Sequence, residues 1–400
     1  MSAQAPSHVP AGLVRAFDFN YRGPIAELFS RFDALRDEGR ALWLDVPLPS
    51  ADLKPVRGAW LFTRASDIRA ALQNTELFSS APGEGPTVMP PMIPIFLDPP
   101  EHTRYRRLLT PLFSPAVIKQ MEPAIRARVE RMVDALAARG SCEFVSDFAV
   151  EFPTRVFTSW IGLPEAETPR FVQLNSVLIH STSDQERAVA SMSAIQVLTD
   201  LIKERSAQPR DDLMSRIIAL DFDGRALAHD ELLRIAMLLF LAGLDTVAAA
   251  LSFSFWHLAQ TPADRRALAR KAVPTSEAVE ELLRRHTFVN LPRRAARDAE
   301  FAGVSLRKGD MVILSLPLAS RDPSEFERPT EVQLDRPSNR HFAFGLGPHR
   351  CLGSHLARLE LQVALDTWHR RIPDYRLDGE VSCYAGTVMG ITHLPLRWQA

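Results

Sequence analysis

The chain reads as a mainly α protein with a minor β region, and three observations carry that reading. Amphipathic patterns at helical spacing cover Pro115–Arg139, Glu186–Ser206, Asp230–Gln260 and Ser276–Arg285. Strand-like text is confined to short pieces: Leu42–Val46, Gly58–Phe62 and Asp310–Ser315. No Gly/Ser-rich linker, low-complexity tract or internal repeat divides the sequence, so residues 1–400 are expected to form one domain.

Along the chain, residues 1–24 show no periodic pattern and are expected to be irregular. The strands Leu42–Val46 and Gly58–Phe62 are placed to join in a small sheet. Prolines and glycines recur from Ser80 to Pro100, which predicts a long loop, and long loops in compact domains are often functional. The helix from Pro115 is stopped by Gly140. The pattern Asp230–Gln260 is apolar nearly all round between Ile235 and Leu251, the mark of a buried helix. A proline-punctuated stretch, Asp322–Asn339, leads into a tight loop around Cys351.

With 46% hydrophobic and 24% charged residues the chain can build a large core and resembles a soluble enzyme in composition. A formal net charge of -1 gives no reason to expect nucleic acid or an anionic membrane as partner. The three cysteines, Cys142, Cys351 and Cys383, form no CxxC pair, which argues against a disulfide framework or a zinc knuckle. No basic segment followed by an apolar core opens the chain. The longest apolar run, Ile235–Leu244, is roughly half of what a bilayer span requires, so a cytoplasmic location is expected.

The loop His341-Phe-Ala-Phe-Gly-Leu-Gly-Pro-His-Arg-Cys351-Leu-Gly353 precedes a run of strong helix formers. Such a loop aims backbone N–H groups and a helix N-terminus at the sulfur, and both favour thiolate over thiol. A thiolate held this way suits a heme iron as proximal ligand. An ordinary buried cysteine is the plain alternative. The spacing of Phe344, Gly345, Gly347, His349, Arg350, Cys351 and Gly353 decides between them, because it reproduces the heme-binding signature of the cytochromes P-450.

The sequence therefore resembles that family, which implies heme b held between a distal oxygen-binding helix and a proximal cysteine-loop helix. Cys351 would be the iron ligand, with Phe344 and Gly345 shaping its loop. In Ala242-Gly-Leu-Asp245-Thr246 the family's acid–alcohol pair is matched. By resemblance Thr246 assists oxygen activation and Asp245 delivers protons. Gly243 weakens the helix and is expected to let its hydrogen-bond ladder open locally. The plain alternative is a threonine bonded back to a carbonyl.

Glu281-Leu-Leu-Arg284 places carboxylate and guanidinium one helical turn apart, commonly just a surface pair. The resemblance makes Glu281 and Arg284, with Arg336, a buried structural network. It likewise makes His102, Arg106, Arg293 and His349 contacts to the heme propionates. His102 and Arg106 lie on one helical face.

Several segments resemble the soluble bacterial camphor hydroxylases, among them Gly243–Phe255 and His393–Trp398. The likeness weakens in the proline-rich loop, where that branch holds the ketone with a tyrosine. Pro90 or Pro91 stands there, and no tyrosine occurs between Tyr21 and Tyr105. The other pocket matches, Met92, Leu238, Leu241, Ala242, Val289 and Val388, are all apolar. Together they imply a hydrophobic terpenoid held by shape: a norisoprenoid such as an ionone, or a monoterpenoid. Val172 and His180 fall where the camphor branch has basic partners for the distal acid.

No flavin- or nicotinamide-binding segment follows the loop. The resemblance thus implies electrons from a [2Fe-2S] ferredoxin with a separate flavin-dependent ferredoxin reductase, and O2 as co-substrate. Alternatives are a camphor hydroxylase proper, a peroxide-driven heme-thiolate enzyme, and a heme ligand-binding protein without turnover.

Overall fold

The computed structural model describes residues 5–48, 56–82, 90–181 and 183–399. The expected helices form as Pro115–Ala137, Asp184–Ala207, His229–Gln260 and Thr275–Arg285. Helices Glu101–Leu109, Glu151–Ile161, Thr168–His180 and Ser354–Arg371 join them.

The small sheet is larger than its two clear strands suggest. Val14–Arg15, Ala41–Leu48, Val56–Phe62, Met311–Ser315, Asn290–Ala295 and Phe78–Ser79 lie side by side in that order. Asn290–Ala295 escaped pattern reading because Asn-Leu-Pro-Arg-Arg-Ala lacks alternation, yet it pairs antiparallel with Met311–Ser315, setting Arg293 opposite Val312. The N-terminal stretch is not wholly irregular. Arg22–Pro24 pairs with Ser382–Tyr384, which pairs in turn with Gly390–His393. A strand whose partner lies at the other end of the chain leaves no local signature.

Two hydrophobic bodies meet along helix His229–Gln260. Its first half places Leu232, Ile235, Met237 and Phe240 in a core with Phe157, Phe171 and Leu198. Its second half places Val247, Leu251, Phe253 and Phe255 in another with Val129, Leu361 and Trp368. There Phe144 stacks on Phe255 at 4.2 Å, and Trp368 meets Phe255 edge-on at 5.0 Å. Each fully buried aromatic of this kind contributes about 1.5–3 kcal/mol.

Ala242, Gly243, Asp245 and Thr246 belong to neither core, and Ala242 is exposed although it sits mid-helix. A cleft therefore opens where the cores part. The helix is apolar and long enough to cross a bilayer, but 65% of its most apolar window is buried in the fold. It is packed as a core helix.

Candidate functional site

Backbone hydrogen bonds shape the cysteine loop. Gly345 N–H donates to Phe342 O (2.7 Å), Cys351 N–H to Phe344 O (2.8 Å), and Arg350 N–H to Gly347 O (3.1 Å). Gly347 has φ +71°, and a Cβ there would lie 2.5 Å from the Leu72 carbonyl oxygen, so no other residue fits. Cys351 is accessible by its own surface yet encircled by protein, so it faces an internal cleft. Burial pushes its thiol up; the Gly353 N–H, Arg106, Arg350 and Arg358 pull it back. The expected donors to sulfur are present, and burial outweighs them.

Two adjacent carboxylates on helix Thr275–Arg285 clamp this loop. Glu281, fully buried, accepts from Arg284 (2.8 and 2.9 Å), Arg336 (2.9 Å), Asn339 Nδ2 (2.9 Å) and Gln333 N–H (2.8 Å). Burial raises its carboxyl, but these donors together hold it below the ordinary carboxylate range. Glu280 reaches the loop itself. Arg358 donates to it at 2.6 and 2.8 Å, and His341 Nε2 lies 3.0 Å away. The Arg358 guanidinium then covers the Phe344 ring at 4.4 Å. Glu280 and Arg358 were not singled out in sequence, where one more Glu before Glu-x-x-Arg carries no signal.

Burial pushes Glu280 up, yet Arg358 and His341 bring it to about 2. A carboxyl lowered in the fold contributes stability that is present above its unfolded pKa, about 4.3, and lost as pH falls through its folded value. The melting temperature is therefore expected to drop as pH falls from about 4.3 towards 2. Glu280→Gln should be less stable at neutral pH and show a flatter profile across that window, measured by scanning calorimetry.

The predicted propionate residues converge. The rings of His102 and His349 lie 4.0 Å apart, and Ser80 Oγ is 3.2 Å from His349 Nε2. Arg106 Nη2 donates to the Arg350 carbonyl beside the cysteine. The buried Arg293 hydrogen-bonds the Pro292 carbonyl at 2.7 Å. Burial draws Arg293 down to about 10 against the pull of Asp98. Burial and then Arg293, His102 and Arg106 push His349 to about 3. Burial and Arg106 likewise lower His102 to about 4. His102 Nδ1 is buried without a partner. His102 and Arg293 are buried and Arg106 and His349 half-buried, and Asp98 is engaged by Ser79 and Ser80, so the cluster forms a site that an anionic group would satisfy.

On the opposite wall, Thr246 Oγ1 donates to the Ala242 carbonyl at 2.9 Å. The helix runs unbroken from His229 to Gln260, so the local opening expected at Gly243 is absent. The hydroxyl bonds back onto the ladder instead. Asp245 Oδ2 accepts from Tyr384 Oη at 3.0 Å. Val172 is half-buried on helix Thr168–His180; the side chain of His180 lies outside the described residues.

Four of the apolar matches are partly buried and pack on the two cores that meet along the long helix. Leu238 and Leu241 pack on one core, Val289 and Val388 on the other, and Val289 bridges Val388 directly. Met92 is buried in the first core, while Pro90 is half-buried. The Pro91 carbonyl accepts from Arg234 Nε at 2.6 Å, tying the end of the proline-rich loop to the long helix. Leu291 Cδ1 would be 3.8 Å from a Cβ on Gly345, which links this wall to the cysteine loop.

A cysteine facing an apolar cleft, with two arginines and two neutral histidines beside it, fits an iron porphyrin with two propionates. Cys351 would take the iron, and Arg106, Arg293, His349 and His102 the propionates. The family model described as Cytochrome P-450 matches residues 272–371, which span the clamp helix and the cysteine loop. A probable cytochrome P-450 127A1 of Sinorhizobium fredii is 37% identical, the match covering 98% of this chain and 96% of that one. The mycinamicin IV hydroxylase/epoxidase of Micromonospora griseorubida is 33% identical over 94% of this chain and 95% of its own. The crystal structure of CYP101C1 superposes with a TM-score of 0.89 at 35% identity, covering 99% of this chain and 100% of that one. The chain belongs to the cytochrome P-450 family, as a heme-thiolate monooxygenase of the soluble bacterial kind.

Proposed function

We propose that this monooxygenase inserts one oxygen atom of O2 into a C–H bond of a small hydrophobic terpenoid, such as an ionone or a monoterpenoid. What supports this reading is that Leu238 and Leu241 on one core and Val289 and Val388 on the other are only partly buried beside the exposed Ala242, without a charged side chain among them. Met92 and Pro90 come from the proline-rich loop, and no phenol stands there to hold a ketone.

Bound heme supplies activation of O2, using two electrons and two protons per turnover. The protein's own groups prepare that chemistry. Cys351 presents its sulfur from a loop fixed by Glu280 and Arg358, while Arg106 and Arg293 would balance the charge of the propionates and His349 and His102 would hydrogen-bond them. Thr246 places a hydroxyl on the cleft face of the helix, and Asp245 beside it can hold a proton at Oδ. The apolar walls exclude water from the reacting C–H bond and position it by shape. The family resemblance supports a [2Fe-2S] ferredoxin and a flavin-dependent reductase as the electron source.

Optical titration of the ferric protein tests the substrate class. Ionones or apolar monoterpenes are expected to shift the iron fully to high spin, and camphor only slightly. Apolar pockets distinguish a methylene by about 1–3 kcal/mol, so several such ligands should bind within about 200-fold of one another. A full shift with camphor would overturn the reading of the Pro90 loop. Turnover with ferredoxin, reductase and NADH, and little with peroxide alone, is expected; the reverse would assign a peroxide-driven enzyme, and no product from either a ligand-binding protein.

A further inference from the structure

We infer that Tyr384 is a positioning residue for oxygen activation: its hydroxyl fixes the Asp245 carboxylate at the cleft. The inference rests on the proposed role of Asp245 in proton delivery.

Tyr384 reaches the long helix from the far end of the chain, donating from Oη to Asp245 Oδ2 at 3.0 Å. It is 7% exposed, and burial together with the Asp245 charge pushes its phenol well up, so it keeps its proton and remains the donor. A buried tyrosine hydroxyl without a partner would be costly, so Tyr384 and Asp245 fix one another.

The strand pairing shows how the ring is seated. Tyr384 lies opposite Gly390 in the antiparallel pair. A Cβ on Gly390 would fall 2.4 Å from Tyr384 Oη and 2.6 Å from its ring carbons. The ring thus lies across the bare backbone of Gly390, in a place any side chain would deny it.

The turn between the two strands is pinned to the cleft wall as well. Asn290 Nδ2 donates to the Gly386 carbonyl (2.8 Å), Asn290 N–H to Thr387 O (2.7 Å), and Met389 N–H to Phe288 O (2.8 Å). The segment that seats Tyr384 therefore also sets Val388 against Val289. Restraint of the acid and the shape of the pocket share one support. A group held in this way needs no reordering when it acts, which is what a proton-handling carboxylate requires.

The test uses the heme-loaded protein and three variants: Tyr384→Phe, Asp245→Asn and the pair together. Tyr384→Phe keeps the ring over Gly390 and removes only the hydroxyl. Product formation with ferredoxin and NADH is expected to fall about tenfold, the size of one hydrogen bond to a charged group, while substrate affinity and melting temperature hold. Independently of turnover, the infrared C–O stretching band of the CO complex should broaden, reporting a carboxylate no longer fixed near the bound gas. The double variant should be no slower than Asp245→Asn, because the hydroxyl acts through that carboxylate.

Wild-type coupling and an unchanged CO band in Tyr384→Phe would overturn the inference, as would losses that multiply in the double variant. So would a Tyr384→Phe protein that melts well below wild type, since the hydroxyl would then serve the strand. If Asp245→Asn turns over normally, the role of Asp245 falls and the inference with it. If Asp245→Asn is slow and Tyr384→Phe is not, only the inference falls.

Discussion

Glu281→Ala is expected to cost about 3–5 kcal/mol of stability and to leave a protein that holds heme poorly at ambient temperature. The reason lies in what the substitution abandons rather than in what it removes. Arg284 is fully buried and all five of its N–H donors are engaged, two by Glu281 and three by the carbonyls of Ser320, Pro329 and Glu331. Without the carboxylate its charge remains in the core with carbonyl dipoles alone to balance it. Arg336, 6% exposed, loses the same partner, and Asn339 Nδ2 and the Gln333 N–H are orphaned with it.

These donors come from the proline-punctuated stretch that leads into the cysteine loop, so the loop's path depends on the carboxylate as well. Urea denaturation and heme retention, read from the CO-difference spectrum, measure the two consequences. Pairing the change with Arg284→Met should restore part of the loss, because the uncompensated buried charge goes too. A single variant within about 1 kcal/mol of wild type would show that the buried network adds no more stability than an exposed ion pair does.

What could be read in advance follows the range of the interactions. The cysteine loop was legible because its glycines, proline and cysteine sit within thirteen positions and each answers a local demand of backbone or ligand. The long helix was legible from periodicity, and its ends came within one residue. The propionate residues were legible only through the family resemblance, since the four lie in three separate segments and each alone looks like a solvated surface charge.

Tyr384 left no signal. Its partner is 139 residues away, and its seat is a glycine whose smallness matters only once the strands pair. The strand Arg22–Pro24 was missed for the same reason. The supposed opening at Gly243 failed differently: a weak helix former permits a break, but the helix stays continuous with cores packed on either side, and Thr246 bonds back to the Ala242 carbonyl without breaking it.

Cys351→Ser is expected to do the opposite of Glu281→Ala, leaving stability near wild type while abolishing turnover. The loop takes its shape from backbone bonds at Gly345, Arg350 and Cys351 and from the Glu280–Arg358 clamp, none of which uses the sulfur. A serine fits the same space and accepts the same Gly353 N–H. It cannot supply a thiolate, and the electron release that a heme iron draws from sulfur is lost with it. Losing an outer-shell partner of a metal ligand costs about 10–100-fold, so losing the ligand itself should exceed that range.

The variant should still take up heme through Arg106, Arg293 and His349, because the cationic cradle is separate from the ligand. Its CO complex, however, should lose the thiolate-type Soret band. Retained turnover, or a thiolate-type band, would move the ligand away from Cys351. Cys142 and Cys383 cannot readily replace it, since burial pushes them up to about 12 and about 11 and both sit in the core rather than on the cleft. Stability that survives the loss of the sulfur, set against stability that collapses with Glu281, would separate the group that performs the chemistry from the group that holds it in place.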